Sequence, residues 1–206
     1  HWIDNSTFDA PDARTSPVFD PAKGAQAGEV LMASEADVDR AVASGLAAFP
    51  DWRDTPVTAR QRIMFRYREL VDAHRHDIAK ALTAEHGKTI DDALGEVQRG
   101  LEVVEFACGI PHLLKGDFSE QVSTGVDTLT IRQPLGVVAG ITPFNFPAMI
   151  PLWKMAPAIV SGNAMILNVQ QEQSQSRDPD HQGNAARQQL QCPVVKSVFK
   201  NSFAHR

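Results

Sequence analysis

Apolar positions change their period several times along this chain, and each change marks an element. Residues 135–141 form a short apolar run of the kind that fills a parallel sheet covered on both faces. A turn rich in breakers follows over 142–146, and 147–161 is apolar on most sides and long enough for a buried helix. Gly162-Asn163 is a stop signal, and 164–167 starts a second apolar strand. The succession predicts a βαβ unit with one polar side chain, Asn145, at the mouth of its first turn. Ligands in open α/β sheets bind at the carboxyl ends of strands, which is where Asn145 falls.

Upstream the period is helical. Ser34 with Asp37 three residues on resembles a capping box, and Val38, Val42, Leu46 and Phe49 recur at helical spacing. They predict a helix over 34–49, ended by Pro50-Asp51-Trp52. Ile63, Tyr67, Leu70, Val71, His74, Ile78 and Leu82 share one stripe and predict a single helix over 58–86, stopped by Gly87. His74 reads as a histidine at the core's edge, since no second ligand is spaced with it. His86 is explained by the last carbonyls of its helix. A third helix over 89–108 buries Val97, Leu101, Val104 and Cys108. Cys108 is therefore a core thiol rather than a nucleophile. Arg99 lies about 200° round from Val97, so spacing alone makes it a solvated arginine.

The remaining segments are weaker in pattern. Residues 1–30 are punctuated by Asn5-Ser6, Ala10-Pro11, Ser16-Pro17 and Asp20-Pro21, with two short strands and a turn expected over 18–30. Residues 126–132 are β-prone and pair in expectation with part of 116–125 as a hairpin. After Leu167 the chain changes character: 168–191 contains eight glutamines and no helical or strand period, a composition that reads as disordered. Val194 to Phe199 is a small apolar patch. The expected division is 1–115 strands and helices, 116–133 hairpin, 134–168 βαβ unit and 169–206 tail.

Composition narrows the class. The chain has 206 residues, 43% hydrophobic and 22% charged, which suits a soluble globular protein. A net charge of -5 argues against nucleic acid or an anionic membrane as partner. Two cysteines, Cys108 and Cys192, are too few and too far apart for a disulfide framework or a metal cluster, so an intracellular, reducing compartment is the default. No run approaches the ~20 apolar residues of a membrane span. The chain begins at His1 without Met or a signal peptide, and the natural N-terminus is expected upstream.

Longer motifs add a resemblance. Ile141-Thr142-Pro143-Phe144-Asn145-Phe146-Pro147 is similar to the (I/T)-x-P-(F/W)-N-(F/Y)-P motif of the aldehyde dehydrogenase superfamily. Gly95-Glu96-Val97-Gln98-Arg99-Gly100, Val103-Val104-Glu105-Phe106-Ala107 and Pro134-Leu135-Gly136-Val137-Val138-Ala139-Gly140 look like its CoA-acylating methylmalonate-semialdehyde dehydrogenases. Residues 1–167 thus resemble the N-terminal third of such an enzyme. The implied fold is α/β: an incomplete Rossmann-type NAD domain with N-terminal helices and a β-hairpin, followed by a disordered tail. The implied chemistry is attack of a cysteine thiolate on an aldehyde, hydride transfer to NAD, acyl transfer to CoA and loss of CO2. The resemblance makes Asn145 the oxyanion donor, a role worth about 2.7–4 kcal/mol of transition-state stabilisation; an N-cap before Pro147 is its structural alternative. It puts Thr142 and Phe144 at NAD-contacting positions. It makes Arg99 a grip for the substrate carboxylate, which a guanidinium binds well. It also implies a homo-oligomer assembled through the 116–132 hairpin, no metal, and a bacterial cytoplasm or a mitochondrial matrix. Another semialdehyde or betaine-aldehyde dehydrogenase is an alternative, which Arg99 and 105–115 disfavour. A non-catalytic module that binds a full-length homologue is a third.

The resemblance ends abruptly. The family continues Leu-Lys-Pro-Ser-Glu where this chain reads Leu167-Asn168-Val169-Gln170-Gln171. Asn168 stands at the position of a lysine that contacts the adenosine ribose. Losing a charged hydrogen bond of roughly 1.5–3 kcal/mol weakens NAD about tenfold or more. The nucleophilic cysteine and the glutamate base have no counterpart, and the flanks of Cys192 do not match. The break suggests a truncated, frameshifted or wrongly joined product, with its sheet ending after about two strands and an apolar edge exposed. The purified chain is therefore expected to form no NADH from methylmalonate semialdehyde, NAD and CoA, and to be poorly soluble or to melt without a sharp two-state transition. NADH formation, or a cooperative monomeric melt, would contradict these expectations.

Overall fold

The computed structural model describes residues 1–4, 6–7 and 13–169. In order, the elements are β1 (Trp2–Ile3), β2 (Ser6–Thr7), β3 (Thr15–Phe19), β4 (Gln26–Leu31), α1 (Glu35–Asp54), α2 (Val57–Ala73), α3 (Arg75–His86), α4 (Ile90–Cys108) and α5 (Ile110–Leu113). Then come β5 (Phe118–Ser123), β6 (Val126–Leu129), β7 (Val137–Thr142), α6 (Met149–Val160) and β8 (Ala164–Val169). β1–β2, β3–β4 and β5–β6 are antiparallel pairs, and β7–β8 is a parallel pair joined by α6. The chain is a mixed α/β fold, and the expected βαβ unit is present. Of the expected tail over 169–206, Val169 belongs to β8; the rest lies outside the described residues, as does the Ala10-Pro11 turn.

Helix α4 is central, because its apolar stripe meets three neighbours at once. It packs against α2, α3 and α6. Ala93, Val97, Leu101 and Val104 are buried against Tyr67, Val71, Leu82 and Leu152. Gly100 permits the close crossing with α6: a Cβ there would lie 2.6 Å from Leu152 Cδ1 and 3.3 Å from Met149 Cα.

Three boundaries differ from the sequence expectation. Residues 58–86 do not form one helix. A straight helix of that length would span about 43 Å, against about 28 Å for α4. The chain bends instead at His74 (φ -102°, ψ 12°), so that both halves pack on α4. The hydrogen-bond ladder runs through the bend, since the His74 amide donates to Leu70 and its carbonyl accepts from Ile78. His74 itself is exposed and faces Asp77. α1 also runs past Pro50 to Asp54, and its last turn is held by bonds from Trp52 Nε1 to the Ile159 carbonyl and from Arg60 to the Arg53 carbonyl. Finally, β7 starts at Val137, and Leu135 is 89% exposed. The buried Asn163 carboxamide oxygen accepts from the Leu135 and Gly136 amides (2.7 and 3.1 Å), holding both amides outside the strand ladder.

β7 and β8 pair in register, Val137 with Ala164 through Thr142 with Val169. Strand side chains alternate between faces. Val137 and Ala164 lie against Gly45 of α1. Met165 and Leu167, one residue out of phase with Ala164, join the core that includes α6. α1 and α6 therefore cover opposite faces of the sheet. Ile141 remains 58% exposed at the strand's carboxyl end.

The C-termini of α1 and α6 meet at a buried arginine. Arg60 Nε donates to the Val160 carbonyl (2.9 Å), and its Nη1 donates to those of Arg53 (3.2 Å) and Thr55 (2.5 Å). Trp52 Nε1 donates to the Ile159 carbonyl at 2.8 Å. Orphan helix carbonyls carry partial negative charge, and one guanidinium serves two such ends. Replacing Arg60 with Met strands these carbonyls. Arg60→Met is expected to speed hydrogen–deuterium exchange over 52–56 and 159–162 by about tenfold or more, the loss of charge-assisted hydrogen bonds worth roughly 1.5–3 kcal/mol each.

Candidate active site

The turn between β7 and α6 carries Asn145. α6 begins at Met149, and its N-cap, Ala148, provides no capping side chain. Asn145 is thus not the N-cap. The first amides of α6 are satisfied from another helix. Glu96 Oε1 accepts from the Ala148 amide at 2.8 Å and the Met149 amide at 3.1 Å. Its other oxygen, Oε2, accepts from Lys88 Nζ at 2.5 Å. The Glu96 side chain has no exposed surface, and that of Lys88 is 5% exposed.

Lys88 also grips the turn directly. Its Nζ donates to the Asn145 carbonyl at 3.3 Å and stands 4.8 Å from the centroid of the Phe146 ring. The Arg99 guanidinium carbon lies 5.6 Å from the same ring. Arg99 is exposed, as its spacing implied, and its carbonyl accepts from Trp153 Nε1 of α6 at 3.0 Å. Asn145 is exposed, and its carboxamide makes no hydrogen bond with the described residues.

The residues named from sequence fall into two groups. Asn145 and Arg99 share the Phe146 corner. Thr142 and Asn168 face each other across β7–β8, with Thr142 fully buried and its hydroxyl donating to the Asn168 carbonyl at 3.3 Å. Phe144 links the groups, half-buried against the core, its ring centroid 5.7 Å from that of His86. His86 thus has an aromatic neighbour as well as a place at its helix C-terminus.

Lys88 and Glu96 were missed by the sequence reading. Glu96 falls three residues after Ala93 and four before Gly100, on α4's buried stripe. A lone acid on an otherwise apolar face is the signal, because burial of such a charge requires partners. Its carboxylate also settles one chemical question. A helix N-terminus after the first strand of a dinucleotide fold commonly takes a pyrophosphate. At α6 that anion position is filled by Glu96 itself.

Cys108 is buried on α4, and burial, then the nearby Glu105 carboxylate, pushes its thiol above the ordinary value. Neither feature suits a thiolate nucleophile. Cys192 lies outside the described residues. Among the described residues no group of three His, Cys, Asp or Glu could hold a metal, and no helix is long and apolar enough to cross a membrane.

Comparison with known proteins bears on this geometry. The sequence pattern of the Aldehyde dehydrogenase family matches residues 8–177. The chain belongs to that family. It is 43% identical over 167 residues to malonate-semialdehyde dehydrogenase of Pseudomonas aeruginosa, covering 81% of this chain and 34% of that protein. It is 44% identical over 165 residues to the acylating mitochondrial methylmalonate-semialdehyde dehydrogenase of Arabidopsis thaliana, covering 80% and 27%. Among solved structures, the methylmalonate-semialdehyde dehydrogenase of Oceanimonas doudoroffii superposes with a TM-score of 0.83 at 40% identity, over 98% of this chain and 38% of that one. A Sinorhizobium meliloti structure described as a methylmalonate-semialdehyde dehydrogenase complexed with NAD gives 0.79 at 47% identity, over 87% and 35%. The chain spans about a third of the length of these relatives.

The buried thiol gives a direct check. In the folded chain the Cys108 peptide should be alkylated by iodoacetamide at least about tenfold more slowly than in urea, as quantified by mass spectrometry. Equal rates would show that Cys108 is accessible.

Proposed function

We propose that residues 1–169 supply the oxyanion and substrate-carboxylate side of an NAD-dependent, CoA-acylating malonate- or methylmalonate-semialdehyde dehydrogenase. The observation that carries this reading is the state of Asn145. It stands at the carboxyl end of a parallel strand, is held by its backbone, and keeps its carboxamide uncommitted among the described residues. A neutral donor fixed before charge develops is what a tetrahedral oxyanion requires. Arg99, 5.6 Å from the Phe146 ring, is exposed and suited to a carboxylate on the same substrate. The names of the relatives support the same substrate class.

In this reading NAD supplies the hydride acceptor, and Phe144, Asn168 and the Thr142 strand end border its site. Thr142 contributes by holding β8 rather than through a free hydroxyl. The Asn145 amide donates to the aldehyde oxygen as it gains negative charge. Arg99 binds and orients the remote carboxylate, and CoA accepts the acyl group. Cys108 does not provide the nucleophile. The complete activity therefore draws on residues beyond those described, and a homo-oligomer in a bacterial cytoplasm or mitochondrial matrix is the expected setting.

The test replaces the matching segment of the Pseudomonas aeruginosa malonate-semialdehyde dehydrogenase with residues 1–167. The chimera should reduce NAD with malonate semialdehyde and CoA. Asn145→Ala in the chimera should lower kcat about 10²–10³-fold. Arg99→Met should raise KM for malonate semialdehyde while leaving propanal unaffected, because only the first substrate carries a carboxylate. An active chimera indifferent to Asn145→Ala, or one in which Arg99→Met affects both aldehydes alike, would overturn the assignment concerned.

A further inference from the structure

We propose that Lys88 and Glu96 are positioning residues for Asn145: their buried ion pair fixes the turn by its backbone and leaves the carboxamide free to donate. This rests on the reading of Asn145 given above.

The pair holds the turn from both ends. Lys88 Nζ takes the Asn145 carbonyl, and Glu96 takes the Ala148 and Met149 amides. Three backbone groups within five residues are thus referred to one pair of charges, with the Phe146 ring against the ammonium as a further hold. The pair is rooted in rigid structure. Glu96 sits in the middle of α4. Lys88 occupies the middle of a three-residue link, between Gly87, left-handed at φ +85°, and Thr89, whose hydroxyl oxygen accepts from the Asp92 amide to cap α4. Neither side chain hydrogen-bonds the Asn145 carboxamide, so any effect on it passes through the turn.

Energetics favour positioning over simple stabilisation. A buried ion pair seldom adds net stability over apolar residues of similar volume, because desolvation offsets the attraction. It does impose geometry, since each charge must keep its partners. Here the required partners are backbone atoms of the turn that bears the donor.

Hydrogen–deuterium exchange on the full chain, without substrate or NAD, tests this independently of activity. Lys88→Met should speed exchange across 144–150 about tenfold, the loss of one charge-assisted hydrogen bond, and leave 97–108 within about twofold. Lys88→Arg, which keeps the charge, should restore most of the protection. The double variant Lys88→Met/Glu96→Gln carries no lone buried charge, and should fold and show the same local loosening if the single variant does not fold. Equal acceleration of both segments, unchanged exchange in the turn, failure of Lys88→Arg to restore protection, or failure of both Met variants to fold would overturn the proposal. Because no ligand is present, a wrong functional reading would leave these results unchanged.

Discussion

A carboxylate with no exposed surface, Glu96, governs how the two halves of the described fold meet. A charge placed there is costly unless it is paired and hydrogen-bonded. The chain meets that demand with an ammonium from the α3–α4 link and two amides from the start of α6. The apolar packing of α4 on α6 brings the helices together through Gly100 and Leu152. Hydrophobic contact is non-directional, so packing alone would tolerate some sliding of one helix along the other. The Glu96 bonds are directional, and they define where α6 begins and hence where the preceding turn stands.

A second polar centre plays the matching part at the other end of α6. Arg60 and Trp52 gather the closing carbonyls of α1 and α6, the two helices that cover opposite faces of the β7–β8 pair. With α6 tied at its start by Glu96 and at its finish by Arg60, the strand it connects has little freedom. The Asn163 side chain then aligns the starts of β7 and β8. The exposed Asn145 carboxamide lies on a short turn between these fixed points. In the proposed oxyanion role, a donor gains most when its position is set before charge develops, and the turn is fixed here without using the side chain itself.

Family membership gives these contacts a context. The matched segment covers about a third of the related enzymes, and it contains the strand-end turn and the exposed arginine beside it. The buried thiol and the occupied helix N-terminus define what this segment does not contribute: neither a nucleophile at Cys108 nor a phosphate cradle at α6. Thr142 is buried within the sheet, whereas Phe144 and Asn168 are half-buried at its carboxyl end.

Much of this was legible in the linear order of residues. The β–turn–α–β succession, the buried face of α4, the Ser34–Asp37 capping box and the exposed position of Arg99 follow from local periodicity and side-chain chemistry. These features depend on residues a few positions apart. The kink at His74, the passage of α1 through Pro50 and the late start of β7 were not legible, because each is decided by partners distant along the chain: α4, Ile159 and Asn163. Glu96 shows the division most clearly. Its sequence position marks an acid on an apolar face, but its partners at 88, 148 and 149 come together only when α4 packs on α6. Local sequence determined which residues could serve as donors and cations. Tertiary packing decided which were buried as supports and which were left exposed to act.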